Sequence, residues 1–174
     1  MTSAPIELRL ATSADAGGIA QVNVASWRAA YQRIVPDAVL AALSLEERGE
    51  RWERLLAGGG GALVTEVRGT IVGYVAFGPD HGREPATGEV YALYVDPDSW
   101  SGGIGTALLA GALERLVTSG YTRAVLWALA DNARGRRFFE AAGFAADGEE
   151  RPWEAGNVTL TELRYARDLA IVLP

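Results

Sequence analysis

The stretch Val90-Tyr-Ala-Leu-Tyr-Val95-Asp-Pro-Asp-Ser-Trp100-Ser-Gly-Gly-Ile-Gly105-Thr-Ala-Leu-Leu109 decides how this chain is read. Glu89 to Val95 is a nearly continuous apolar run, as expected of a strand covered on both faces. A glycine-rich turn follows, and then Leu108, Leu109, Ala112, Leu113, Leu116 and Val117 recur at helical spacing as far as Gly120. Glycines let backbone approach a ligand with no side chain in the way, and the first free N–H groups of the helix point at whatever lies there. An anion is the natural occupant, favoured further by the positive end of the helix dipole. Taken alone, a Gly-x-Gly turn fits a tight start to a helix equally well. The dinucleotide pattern Gly-x-Gly-x-x-Gly/Ala does not match, because Leu108 stands at its last position and a loop separates Val95 from the glycines.

Outward from this stretch, Ala124 to Ala130 is a second buried strand, so Gly103 to Gly120 is a crossover helix in a layered α/β domain. A further helix is expected over Asn132 to Ala142 with Gly143 as its left-handed cap, then short strands around Phe144 and around Leu160 to Arg167. Upstream, Leu63 to Val67 and Thr70 to Phe77 flank Arg68-Gly69 as a hairpin, and the turn formers of Gly78 to Gly88 make a loop that carries His81, the only histidine. At the N-terminal side, Ile6 to Ala11 alternates like a half-buried strand. Thr12 or Ser13 can cap a helix from about Ala14 to Tyr31, and Ser44-Leu-Glu-Glu47 has the form of a capping box before a charged surface helix that Gly58 to Gly61 ends.

Composition sets the outer bounds. A chain of 174 residues, 49% hydrophobic, is expected to be one domain over 1–174. With no cysteine, disulfides and thiolate chemistry are excluded, and a reducing, cytoplasmic location is expected. No apolar window has the length of a signal peptide or a membrane span, so no membrane partner is expected. The net charge of -6 argues against nucleic acid and modestly favours small cations.

Two motifs in order and at the right spacing make the reading specific. Trp100 to Leu109 resembles the acyl-CoA signature Gln/Arg-x-x-Gly-x-Gly/Ala of the GNAT acyltransferase superfamily, and Asn132-Ala-Arg-Gly-Arg-Arg-Phe-Phe-Glu-Ala-Ala-Gly-Phe144 resembles the motif that follows that family's fifth strand. The resemblance covers essentially the whole chain, strongly from Glu89 to Phe144 and more loosely before Ala62. It implies an α/β fold with a mixed, mostly antiparallel twisted sheet whose central strands splay apart, flanked by helices. It also implies acetyl-CoA as co-substrate, no metal, and a small-molecule or peptide amine as acceptor. The pantetheine would pair with the backbone of Leu93, Tyr94 and Val95, and Gly103, Ile104, Gly105 and Thr106 would hold the pyrophosphate with Ser101 and Gly102 beside them. Asn132 would bond the cofactor's arm, and Phe139 would line the same site.

The departures from the family pattern are informative. Trp100 stands where Gln or Arg is usual and Gly102 where a base is common, so less positive charge faces the phosphates. Phe139 occupies the place of the tyrosine that often protonates the departing thiolate, which leaves Tyr91, Tyr94 and Tyr165 as substitutes, with Tyr165 the candidate acid. An amine attacks only after losing its proton, and Glu89, fourteen positions before Gly103, matches the family's general-base glutamate. His81 reads first as a solvated loop residue and second as a lining of the substrate mouth, Arg134, Arg136 and Arg137 first as solvated helix-surface groups and second as partners of the cofactor's ribose phosphate, and Trp27, Tyr31 and Trp153 first as core and second as an acceptor pocket. A non-catalytic acyl-CoA-binding module is the competing reading, supported by Phe139. The C-terminal edge strands suit a homodimer.

Overall fold

The computed structural model describes residues 6–169. Strands β1 (Arg9–Leu10), β2 (Gly61–Val67), β3 (Thr70–Pro79), β4 (Thr87–Val95), β5 (Arg123–Leu129), β6 (Ala145–Ala155) and β7 (Val158–Asp168) form one sheet in the order β1-β2-β3-β4-β5-β7-β6. Every neighbouring pair is antiparallel except β4 and β5. Helices α1 (Ala16–Ala30), α2 (Asp37–Ala41) and α3 (Leu45–Ala57) precede β2, α4 (Ile104–Thr118) crosses from β4 to β5, and α5 (Ala133–Ala141) follows β5. This is the mixed, mostly antiparallel sheet with flanking helices expected from the sequence.

Each face of the sheet has its own apolar layer. On one face Leu108, Leu109, Ala112, Leu113 and Leu116 of α4 pack on Leu63, Val75, Phe77, Val90 and Leu126, and Phe138 and Phe139 of α5 extend the layer. On the other, Ile19 and Val22 of α1 meet Val64 and Tyr74 with Trp52 and Leu56 of α3 over them. Each such side chain, fully buried, contributes roughly 1.5–3 kcal/mol. Gly73 sets how closely α4 approaches β3, since a Cβ there would lie 2.9 Å from Leu108 Cδ1 and 3.0 Å from Ile104 Cγ2.

The sequence signals for turns and caps work as local chemistry predicts. Arg68 and Gly69 take φ of 52° and 78°, the paired left-handed residues of a two-residue hairpin turn. Ser44 Oγ accepts from the Glu47 amide at 3.2 Å and starts α3, and Gly143 closes α5 at φ 86°. Two elements differ from expectation. The strand expected over Ile6 to Ala11 is reduced to Arg9–Leu10, because the Thr65 hydroxyl donates to the Glu7 carbonyl at 2.8 Å and Ile6 and Leu8 pack toward α4. At the other end, the strands expected to be short are eleven residues each. The polar run Asp147 to Glu150 sits in edge strand β6 at a bulge, where the ladder to β7 skips from Ala146 to Glu150, so the period of two that would reveal a strand is broken there.

Among the described residues no helix is long and apolar enough to cross a membrane.

The start of α1 is tied to β1 through Asp15. Its carboxylate receives Arg9 Nη1 and Nη2 at 2.8 Å each and the Thr12 amide at 2.7 Å. The Arg9 guanidinium, aided by the Thr12 amide, holds Asp15 at about 2 against the opposing pull of burial. A carboxylate depressed in the folded state stabilises it above its unfolded value of about 3.9 and loses that contribution as pH falls through the folded value. Arg9 is half-exposed, so Arg9→Met should cost only about 1 kcal/mol at pH 7. In chemical denaturation the gap between wild type and variant should be flat at neutral pH and shrink between about pH 4 and pH 2.

Candidate active site

The site grows from one feature of the sheet. The parallel ladder between β4 and β5 runs from Thr87 opposite Arg123 to Val90 opposite Leu126 and stops. Beyond that point β4 still pairs with β3 as far as Val95 opposite Gly73, and β5 still pairs with β7 as far as Leu129 opposite Glu162. The two strands therefore part. On β4 the parting coincides with a bulge: Ala76 faces Ala92 while Phe77 faces Val90, so Tyr91 is an extra residue on that strand. The edge of Tyr91 to Val95 that faces β5 has no strand partner, so Leu93, Tyr94 and Val95 lie where a ligand's amides could pair. Leu93 belongs to the layer under α4. The Tyr94 hydroxyl lies 3.0 Å from that of Tyr31 on the opposite face, and burial raises both phenols above their ordinary value.

Past Val95 the chain is shaped by caps. Asp96 accepts from the Asp98 amide at 3.0 Å and starts a single turn over Pro97–Ser99, after which Ser101 at φ 68° and Gly103 at φ 79° swing the backbone into α4. The first helical bond is from the Ala107 amide to the Gly103 carbonyl at 3.0 Å. The amides of Ser101, Gly102, Gly103, Ile104, Gly105 and Thr106 therefore have no acceptor among the described residues. A Cβ on Gly103 would approach nothing nearer than 3.9 Å, and one on Gly102 nothing nearer than 3.5 Å, so no side chain crowds the loop at these two glycines. Donors and dipole together fit a pyrophosphate.

A positive charge reaches this loop from another helix. Trp100 Nε1 donates to the Val95 carbonyl at 2.8 Å, which also receives Ser26 Oγ at 2.8 Å, and this fixes the indole plane. The Arg134 guanidinium of α5 lies over that indole, 3.7 Å from the ring centroid. Read alone, Arg134 is one of three surface arginines, and only the indole's fixed orientation distinguishes it. Asn132 caps α5, with Oδ1 accepting from the Gly135 amide at 3.0 Å and Nδ2 left without a described acceptor. Phe139 packs in the apolar layer, 5.2 Å from the Phe138 ring and 6.3 Å from that of Phe144.

Glu89 lies on the last rung but one of the ladder before the strands part, only 4% exposed. Its Oε2 receives two donors from one residue, the His81 amide at 3.0 Å and His81 Nδ1 at 2.8 Å, the tautomer being assigned from the carboxylate it faces. No described group donates to Oε1. His81, expected to be merely solvated, thus keeps an exposed ring while orienting a buried carboxylate, with the Tyr91 ring 4.6 Å away. Burial, with Glu89 adding, pushes the Tyr91 phenol up to about 12. No sequence signal joined residues 81 and 89, because the contact depends on how the loop between β3 and β4 folds back.

The remaining candidates are placed as follows. Tyr165 on β7 is fully buried, and its hydroxyl accepts from Arg136 Nε at 2.8 Å and donates to Glu140 at 3.0 Å, beside the turn of α5 that holds Phe139. Trp27, Tyr31 and Trp153 pack as partly buried rings against Val35, Leu40, Leu129 and Ala155, at the margin of that cluster and not at its centre.

Comparison with known proteins agrees with this geometry. The Acetyltransferase (GNAT) family matches residues 24–144. The uncharacterized N-acetyltransferase YuaI of Bacillus subtilis is 33% identical over 129 residues, 73% of each chain. A probable N-acetyltransferase of Mycobacterium tuberculosis is 28% identical over 157 residues, 88% of each. Among solved structures, the PaiA N-acetyltransferase of Thermoplasma acidophilum in complex with coenzyme A superposes with a TM-score of 0.75 at 18% identity, covering 94% of this chain and 99% of that one. The YncA protein of Salmonella typhimurium, solved with its cofactor acetyl-CoA, gives 0.71 at 22% identity, covering 96% and 95%. With its parted central strands, its open amide loop and this family match, the chain belongs to the GNAT acetyltransferase family.

Proposed function

We propose that this acetyltransferase moves the acetyl group of acetyl-CoA to a primary amine of a small molecule or peptide by direct attack in a ternary complex. The observation that carries the reading is Glu89, buried at the point where β4 and β5 part and held through Oε2 by both donors of His81. Held so, the carboxylate has Oε1 free to take the ammonium proton, directly or through a water. The amine nitrogen then forms a bond to the thioester carbon and gives up its second proton, the carbon–sulfur bond breaks, and the sulfur leaves as a thiolate whose uptake of one proton balances that loss.

The chain's own residues would hold the cofactor as the sequence expectation has it. The amides of Ser101 to Thr106 face the pyrophosphate, the edge of Leu93 to Val95 that lacks a strand partner pairs with the pantetheine except at the Val95 carbonyl, which Ser26 and Trp100 already occupy, Asn132 Nδ2 donates to its arm, and Phe139 packs beside it. Arg134, fixed over Trp100, adds the charge that the loop lacks. For the thiolate, the sequence offers Tyr165, but its hydroxyl is fully buried and gives its one proton to Glu140, so the departing sulfur takes its proton from water. A thiolate of moderate pKa needs little assistance.

The binding-module reading makes the opposite forecast for Glu89. Glu89→Gln should lower turnover by about a hundredfold, followed as free thiol released from acetyl-CoA with polyamine, amino-acid and peptide probes, while leaving coenzyme A affinity unchanged. Unaltered turnover would leave Glu89 as a structural carboxylate. In the same assay Tyr165→Phe should cost less than about tenfold.

Cofactor affinity tests the other half of the site. By calorimetry, Arg134→Ala should weaken coenzyme A binding by about threefold to tenfold, and the deficit should narrow as salt is raised, because an exposed charge pair is screened. Equal affinity at low salt would remove Arg134 from the cofactor site.

A further inference from the structure

Glu89 is oriented by His81, but His81 sits in an exposed loop, 72% of its side chain open to solvent, and something must hold that loop in place. The loop from Asp80 to Ala86 is folded against its own preference. Arg83 and Ala86 take left-handed φ of 58° and 54° without being glycine, and such residues persist only when their surroundings over-determine them. Part of the restraint is internal. Asp80, itself buried, accepts from the Glu84 amide at 3.0 Å, and the Asp80 amide donates to the Thr87 carbonyl at 3.2 Å.

The rest comes from β5, β6 and β7. The Ala86 carbonyl accepts from the Thr122 amide at 2.8 Å. The Glu84 carboxylate receives Arg123 Nη1 at 3.0 Å and Arg164 Nη1 at 2.6 Å, one on each oxygen. Both arginines also hold Asp147 of β6, at 3.1 and 2.8 Å. Four charges thus close a ring of alternating sign, with Arg164 14% and Asp147 16% exposed, far less open than an ordinary surface pair. Isolated surface ion pairs hold little, but a half-buried ring with shared arginines loses less side-chain freedom per bond. Glu84 is the ring's one member in the loop, three residues beyond His81.

We propose that Glu84 is a positioning residue: clamped by Arg123 and Arg164, it sets the loop so that His81 meets Glu89 and leaves Oε1 free for the acceptor's proton. This inference rests on the reading of Glu89 as the base. The clamp links the β3–β4 loop to β5 and β7, the far wall of the gap in which the thioester would lie, so the base and that wall are held in one frame. The other groups that face His81 and Glu89, Tyr91 beside the ring and Asp80 beneath the loop, are left in place when Glu84 is changed.

Since His81 is the only histidine, its ring can be followed in the full chain by NMR without assignment ambiguity. Glu84→Gln should move the His81 ring signals toward those of an unconstrained histidine. It should also lower kcat about tenfold with the best amine of the probe panel while KM for acetyl-CoA changes less than about twofold. Arg164→Met, which leaves the loop's own sequence intact, should reproduce the shift and serves if Glu84→Gln folds poorly. Asp147→Asn, which touches the ring but not the loop, should move His81 less than either. The proposal is overturned if the His81 signals and kcat of Glu84→Gln stay at wild-type values, or if Asp147→Asn matches it. Failure of the base reading is separate: it appears as full turnover in Glu89→Gln whatever His81 does.

Discussion

Everything at the site depends on β4 and β5 holding together as a parallel pair for four residues and then letting go. A parallel pair needs a long crossover, and α4 supplies it. Because the crossover starts just past the parted end of β4, the N-terminus of α4 and the unpaired strand edge open onto the same gap. Strand partners hold each side of the gap open, β3 for β4 and β7 for β5, so neither can shift across without breaking its own ladder. The bulge at Tyr91 helps by bending β4 where the pairing stops.

The two faces of the sheet then divide the labour. The face under α4 and α5 carries the anion-directed features: the open amides, Gly103 in a left-handed turn, Trp100 and Arg134, and Asn132 at the head of α5. The face under α1 carries Tyr94 and Tyr31. The Val95 carbonyl joins the two, bonded at once to Ser26 of α1 and to the indole of Trp100. Buried polar groups elsewhere follow the same rule of pairing across elements. Tyr165 joins β7 to α5 through Arg136 and Glu140, and Asp15 joins α1 to β1 through Arg9. Each bond fixes an element's angle as well as its contact, which apolar packing alone does loosely.

Sequence was most legible where local chemistry decides the backbone. Hairpin turn, helix caps, crossover helix and the glycine loop followed from residues within a few positions of one another, and so did the two motifs that signalled the family. It was least legible at the ends. The N-terminal strand is cut short by a hydroxyl 58 positions away, that of Thr65 on the Glu7 carbonyl. The long C-terminal hairpin is hidden where the bulge at its polar run breaks the period of two. Within the candidate site, Glu89 and the glycine loop were visible, whereas the contacts of His81 and Arg134 were not, since each depends on a partner in another element.

What the sequence determined by itself is the order and type of the elements and the kind of ligand that the glycine turn invites, because these arise from dihedral preferences, hydrophobic period and unpaired helix-end amides, all properties of a short window. Tertiary structure decided where β4 and β5 part, which of three arginines stacks on Trp100, and which donors hold the Glu89 carboxylate. Those outcomes depend on side chains brought together from distant positions, and their geometry exists only once both layers of the sheet are packed.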